Sequence, residues 1–438
     1  MSSVRRYANL VFLILLGAAI LLVNVRLYVP SGKSLGQAAV APDVLPSLRF
    51  LKAAMRDGAA TSAQRFFPEG FVFQYATYGL AWVDVGLREP EGSALRREAA
   101  EEARWALRNI HSEAALVPFD LELAPPYGVF YVAWGTWLAG GILLLEGPDE
   151  CDAEVAGRFQ YECGSLALAF ESSESPFLCS HKDKAWPCDS LVGVACLRLH
   201  DSLFEPEYED LIGTWLDEAK ARLDPATGLL PHEVDPYNGD LVQGARGSSQ
   251  ALIQRFLPEV DPTWSAEQYA LFRRQFVAAP FSLAGVREYR RGVRGRGDVD
   301  SGPLVLGLSA SASIVALGPA LLHGDRGFAE PLSHSAEVLG FPVGAGHTKR
   351  YLLGAVPVVD GFLVWSKTAT PWTTRPPRQE FAPAVPSWWR LPIHAVSGLL
   401  CWVLVWAHRR AGRMGRAAAA AAPTRPGLLA PPRADTSA

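Results

Sequence analysis

The chain has 438 residues, 49% of them hydrophobic and 20% charged, with 33 prolines and a formal net charge of −4. That balance supports a well-buried core and excludes a disordered or fibrous protein. Residues 27–408 alone carry −12, because the two ends hold +3 and +5; so acidic a body lacks the basic face that nucleic acid requires, which excludes nucleic acid as a partner.

Residues 8–25 contain no charge, follow Arg5 and Arg6, and as a helix span roughly 27 Å, close to the hydrocarbon core of a bilayer. They read as a transmembrane anchor within residues 1–28. A cleaved leader fits less well, since the small-x-small motif Ala39-Val40-Ala41 lies far beyond the apolar run and Arg26 interrupts the approach. After a linker at 29–44, residues 45–57 form an amphipathic helix. It precedes an apolar stretch that opens at Glu69 and carries Tyr75 and Tyr78. Residues 94–111 place Leu95, Ala99, Ala103, Ala106 and Ile110 on one helical face, with Ser93 as N-cap.

Residues 127–145, which begin with Tyr127 and Tyr131, are again uncharged, as are residues 302–322. Length alone admits both as membrane spans. Their flanks are acidic, however (Glu122, Glu146, Asp149 and Glu150 for the first, Asp298 and Asp300 for the second), and both are rich in small residues. Helices apolar all round and without cationic ends predict the centre of a large domain. Amphipathic stretches at 152–171, 207–223, 265–277 and 327–339 alternate with further apolar ones.

Near the C-terminus, residues 391–407 are uncharged, edged by Trp388, Trp389, Trp402 and Trp406, and followed by Arg409, Arg410, Arg413 and Arg416. A second transmembrane helix is predicted at 391–408, joined by a linker at 373–390. Residues 409–438, rich in alanine and proline, read as a disordered tail. Cationic flanks outside both spans predict both termini in the cytoplasm, the protein in the inner membrane, and the large domain, 45–372, outside the cytoplasm.

Apolar helices begin near Phe71, Tyr127, Cys188, Gly244, Gly302 and Gly354, at intervals of 52 to 61 residues, each preceded by an amphipathic partner. Six outer–inner pairs with no strand alternation predict an all-α (α/α)6 toroid, since a closed ring covers each inner helix on every side. In such a ring the inner helices all start at one end.

The loops entering those helices carry the candidate chemistry. In the first, Cys179 and Cys188 bracket Ser-His-Lys-Asp-Lys-Ala-Trp-Pro, and Asp189 follows. A thiol at a helix start has its thiolate favoured; outside the cytoplasm the same pair suits a disulfide, and both readings stay open. The spacing of Cys179, His181 and Cys188 matches no common zinc pattern, and no metal is expected. In the second loop, Asp298 and Asp300 follow a run containing Arg287, Arg290, Arg291, Arg294 and Arg296. Either carboxylate suits general acid–base work, and Ser301 ahead of Pro303 suits an N-cap. The third holds His232, a candidate proton exchanger near neutral pH, Glu233, and Arg246, which needs a carboxylate partner if buried. Tyr75, Tyr78, Tyr127 and Tyr131 are expected to line a pocket for a small, largely apolar ligand. There is no phosphate loop of the Walker type, no HExxH and no GxSxG.

The paired cysteines, with Pro187-Cys188-Asp189-Ser190 opening an inner helix and the aromatic segment around Tyr75 and Tyr78, resemble the linalool dehydratase-isomerase family over residues 45–372. The resemblance implies a cofactor-independent lyase or isomerase of a small terpene-type alcohol, and a homo-oligomeric, periplasmic domain. It places Cys179 and Cys188 at the active site, one thiol protonating the leaving hydroxyl or attacking the allylic carbon, with Glu69 and Tyr75 as the acidic and tyrosine residues. The family also uses a histidine ahead of its cysteines, where this chain has none between His111 and His181. Two other classes fit a six-hairpin ring. One is a glycoside hydrolase acting on a sugar-like ligand with Asp298 or Asp300 and Glu233 as paired carboxylates. The other is a non-catalytic envelope protein that binds a partner or lipid.

Overall fold

The computed structural model describes residues 2–28 and 40–420. The described chain divides into two compact units, residues 2–25 with 390–420, and residues 26–28 with 40–389.

In the first unit, α1 (Ser2–Arg26) meets α17 (Leu391–Ala420) through Asn24. Its amide donates to Ser397 Oγ at 2.8 Å, and its carbonyl oxygen lies 2.6 Å from His394 Nδ1. Leu391–Arg410 has a mean hydropathy of 1.5 with none of it buried, so it is long and apolar enough to cross a membrane; Leu10–Arg26 is apolar but shorter. The helix is continuous to Ala420, past the start of the expected tail at 409. The rest of the expected tail, 421–438, and most of the expected linker, 29–39, lie outside the described residues.

The second unit opens with the outer helices α2 (Val44–Arg56) and α3 (Ala59–Phe66), then the inner helix α4 (Gly70–Gly86). There follow α5 (Ala94–Ile110), the short α6 (Glu113–Leu116), α7 (Gly128–Glu146), α8 (Ala153–Glu171), α9 (Pro187–Leu203) and α10 (Glu209–Ala221). Last come α11 (Gly247–Val260), α12 (Pro262–Phe276), α13 (Ala310–Val315), α14 (Leu317–Leu322), α15 (Arg326–Leu339) and α16 (Pro357–Thr368). Local sequence sets the starts. Ser93 accepts from Arg96 N as predicted, Asp152, Asp261, Ser309 and Asp325 cap their helices in the same way, and prolines open α9, α12 and α16.

The inner helices touch in the cyclic order α4, α7, α9, α11, α13–α14, α16 and back to α4, with α2–α3, α5, α8, α10, α12 and α15 outside them. This is the expected (α/α)6 toroid. The 19-residue Gly128–Glu146 passes for a membrane span by hydropathy, yet 94% of its window is buried in the ring. Aromatic rings from four inner helices fill the axis: Phe73 packs on Phe130, Trp134 and Phe362, and Trp134 on Phe256 and Trp365, at centroid distances of 4.9 to 5.6 Å.

The fifth inner element departs from expectation. In place of one helix over 302–322, residues 304–309 pair as β5 (Leu304–Val305) and β6 (Leu308–Ser309), and helix starts only at Ala310. These strands extend a four-stranded antiparallel sheet in the order β3 (Val277–Ala278), β4 (Gly285–Arg287), β6, β5. Two hairpins, β1 (Glu233–Val234) with β2 (Leu241–Gln243) and β7 (Val343–Ala345) with β8 (Thr348–Arg350), sit in other loops that enter inner helices. All strands therefore decorate one end of the ring, its mouth.

The other end is sealed. Beyond α16, Trp372 stacks on Trp137 at 4.5 Å and 7°, and its indole N–H donates to Asp84 at 2.9 Å. Glu259 accepts from the backbone N–H of Trp372 and Thr373. Only glycine fits beneath the indole, since a Cβ on Gly141 would lie 2.5 Å from the Trp372 ring.

Candidate functional site

Residues 180–184 form a tight turn, closed by Ser180 N to Lys184 O at 2.9 Å and Lys184 N to His181 O at 3.0 Å. Val129 N at the start of α7 donates to Cys179 O at 2.9 Å, and Ala185 pairs with Val234 of β1. Held from both sides, the turn aims His181 at Glu69, immediately before α4: Nε2 and Oε1 are 2.6 Å apart. The imidazole stacks on Phe119 at 5.3 Å and meets the edge of Trp186. Both partners keep about a fifth of their side chains exposed, so the pair is fixed in direction yet reachable from solvent.

Behind it, Asp189 is buried in the first turn of α9. Its Oδ2 accepts from Ser180 Oγ at 2.6 Å, and Oδ1 lies 3.7 Å from Cys188 Sγ. Burial pushes this carboxyl up to about 7; the Ser180 hydrogen bond opposes the rise and the charge of Glu69 adds to it. Burial, with Asp189 and Asp300 nearby, likewise holds Cys188 well above the ordinary thiol range, and burial raises Cys179. All six cysteines are free. Desolvation and neighbouring carboxylates thus outweigh the helix start and disfavour the thiolate of Cys188.

Arg246, just before α11, is buried as expected, and its partners are Glu288 (Nε to Oε1, 2.7 Å) and Asp298 (Nη2 to Oδ2, 2.6 Å). Burial pushes the Asp298 carboxyl up, but the Ser301 N–H and Arg246 outweigh it and hold the group below its ordinary value. Asp300 is open to solvent at the mouth. Packing around it and the charges of Asp298 and Glu69 push it up to about 6. Ser301 binds Asp298 in a turn, whereas Ser309 caps the helix, because the β5–β6 hairpin intervenes.

Several expected roles change. His232 bonds Ser249 through Nδ1, and Arg246 Nη1 lies 3.4 Å from its Nε2. Burial and then Arg246 push it down to about 3, so it stays neutral near pH 7 instead of exchanging protons. Glu233 is bound to Lys184 and Gln243, which removes it as the partner carboxylate of Asp300. Tyr75 packs on Trp105 of α5, Tyr78 donates to Glu102 of α5 at 2.7 Å, and Tyr131 donates to Ile110 O at 3.1 Å. These three tyrosines face the outer layer because they lie on the far side of their helices from Phe73 and Trp134, which take the axis. Tyr127 stays at the mouth, half-buried with its edge against Tyr131.

The mouth thus brings together Glu69, Asp189, Cys188, Asp300, Asp298 and Arg246. His181, Ser180 and Glu288 complete it and were not expected in these roles. His181 and Ser180 sit inside the cysteine loop and Glu288 inside the arginine-rich stretch, so the signal was the loop as a whole. Among the described residues, no three His, Cys, Asp or Glu side chains gather as a metal site.

No protein-family model matches the chain, and no curated protein matches it. Among solved structures it is similar to an unsaturated glucuronyl hydrolase specific for heparin, at 13% identity and a TM-score of 0.46, over 73% of this chain and 95% of that one.

Proposed function

We propose that the ring mouth cleaves or rearranges a carbon–oxygen bond of a small, largely apolar alcohol by general acid–base catalysis, in the manner of the linalool dehydratase-isomerase family. The observation that carries this is the buried, free thiol of Cys188 beside a carboxyl poised near neutrality, Asp189, next to a hydrogen-bonded Glu69–His181 pair. A protonated Asp189, or Cys188 beside it, supplies the proton that lets a hydroxyl leave as water. The Glu69–His181 pair accepts a proton from the carbon skeleton. His181 then supplies, from within the cysteine loop, the imidazole that the family draws from an earlier segment. The neutral state of Cys188 favours its service as an acid over nucleophilic attack. Cys179 belongs to the loop's frame through its carbonyl.

Asp300 favours a second reading. With Asp298 held down on Arg246 and Asp300 raised to about 6, the mouth has one ionised and one protonatable carboxyl, the division of labour of a glycoside hydrolase. Turnover by purified full-length protein in detergent, screened on terpene-type alcohols and on unsaturated or simple glycosides, separates the two. Loss in Cys188→Ala with Asp300→Asn active supports the lyase. The reverse pattern supports the glycosidase, and no turnover on either panel by wild type points to a binding protein.

We also infer that α1 and α17 anchor the protein in the inner membrane with both termini cytoplasmic and the ring outside, on the strength of Arg5, Arg6 and Arg409 to Arg416 beyond the apolar segments. Alkaline phosphatase fused after Leu230 is expected to be active; an inactive fusion there, with an active one at the C-terminus, overturns the topology.

A further inference from the structure

Exposed bulky apolar side chains are unevenly placed on the ring unit. Among the described residues, the loops at the sealed end (87–93, 147–152, 204–208 and 323–325) expose none. The mouth loops expose many, and the densest group lies where the chain enters α13 and α16. There Phe281, Leu306, Phe341, Leu352 and Leu353 are between 36% and 71% exposed. Each has φ between 43° and 59°. Bulky L residues avoid that left-handed region, so five loop residues adopt an unfavourable backbone and hold an apolar side chain away from the core. A soluble face has no use for that arrangement.

The charge in the same sector is cationic. Arg290, Arg294 and Arg296 are exposed between β4 and β5, on a unit whose sequence is acidic as a whole. Of the nearby carboxylates, Glu288 and Asp298 are bound to Arg246, which leaves exposed Asp300 set against three arginines. Apolar tips among arginines match a bilayer surface, where the tips enter the acyl boundary and the guanidinium groups meet anionic headgroups.

We propose that this sector of the mouth, from the β3–β4 loop to the start of α16, docks on an anionic lipid bilayer, so that the acidic site opens beside the membrane surface. The surface rests on the membrane-anchored reading and is independent of the chemistry at the mouth. An apolar alcohol dissolved in the bilayer then reaches Glu69 and Asp189 without crossing bulk water.

The test uses the full chain reconstituted into vesicles of phosphatidylcholine with phosphatidylglycerol. A photoreactive benzoylphenylalanine is placed singly at Leu306, at Leu353, at Tyr161 on the flank of the ring, or at Leu400 in α17, and lipid adducts are read by mass spectrometry. Adducts are expected at 306, 353 and 400 and not at 161. In Arg294→Gln with Arg296→Gln, the yield at 306 should fall by roughly fivefold per cation removed, while that at 400 is unchanged. Adducts at 400 alone overturn the docking surface and leave the anchor standing. Cross-links at 306 to another protein copy also overturn it, assigning the sector to self-association. No lipid adduct even at 400 overturns the anchor, and the docking surface with it.

Discussion

Asp189 and Asp298 are both aspartates at the mouth, and their surroundings drive them apart. Asp189 loses water and gains only Ser180 and a thiol, so it rises to about 7; Asp298 keeps Arg246 and the Ser301 N–H and falls. Environments that separate two carboxyls in this way mark acid and base roles. For Asp189 the folded state binds its proton more tightly than the unfolded chain, whose aspartate titrates near 4. Between about 4 and 7, therefore, folded stability falls as pH rises, and above that window the loss is complete. Relative to Asp189→Asn, the wild type should gain up to about 1.4 kcal/mol per pH unit on going from pH 7 towards 4. Urea unfolding across that range checks this, and parallel curves would show that burial does not hold the proton. Arg255 makes the opposite case. It is buried with its Nη atoms 3.8 Å from Asp84 and 3.7 Å from Glu259, and burial pushes Asp84 up to about 6. Arg255→Met leaves Glu259 in the core without a counter-charge and Asp84 with Arg88 alone, at a cost of about 3–5 kcal/mol. Protonation relieves that loss, so the drop in melting temperature should be smaller at pH 5 than at pH 8.

At the scale of elements, the segment after α16 does the work of a lid on the sealed end. Trp372 covers Trp137 and binds Asp84, and Gly141 leaves room for its ring. Trp372→Ala should cost about 3 kcal/mol, near the low end for a large aromatic because the indole is only half-buried. Gly141→Leu should cost about 1–3 kcal/mol in the wild type, by overpacking, and markedly less when Trp372 is already alanine. Additive losses in thermal melts would show that the two do not compete for the same space. The same elements show what sequence can reveal. The six-pair period, the core position of α7 and the cap at Ser93 follow from local pattern, because burial on all sides leaves an uninterrupted apolar run. The strands at the mouth do not, since ladders of two or three residues carry no period. The direction of Tyr75 and Tyr78 is hidden for a related reason: on an inner helix apolar all round, both faces look alike. The Glu69–His181 contact joins residues 112 positions apart, and only the packing of α4 and α9 on either side of α7 brings them together.

Closure is a property of the whole molecule. An open array of hairpins has free ends, and each pair is stabilised only by its neighbours. Here α16 returns to α4, across nearly the full length of the ring unit, and the two helices pack closely because Gly361 faces Thr77: a Cβ on Gly361 would lie 2.6 Å from Thr77 Oγ1, which itself donates to Phe73 O. The seam also supports the mouth, since Phe73 and Phe362 meet there at 5.0 Å one turn from Glu69. Gly361→Leu should therefore do more than overpack one contact at about 1–3 kcal/mol. With the seam wedged open, the first and last hairpins lose their shared core, and unfolding should become less cooperative. In the wild type, far-UV and near-UV circular dichroism of the full-length protein in detergent should report one coincident transition. In Gly361→Leu the near-UV signal should melt first, and turnover should fall with it as Glu69 loses its fixed direction to His181. A variant that keeps a single sharp transition at an unchanged temperature would show that the seam yields without opening, and that closure is held by the remaining inner contacts.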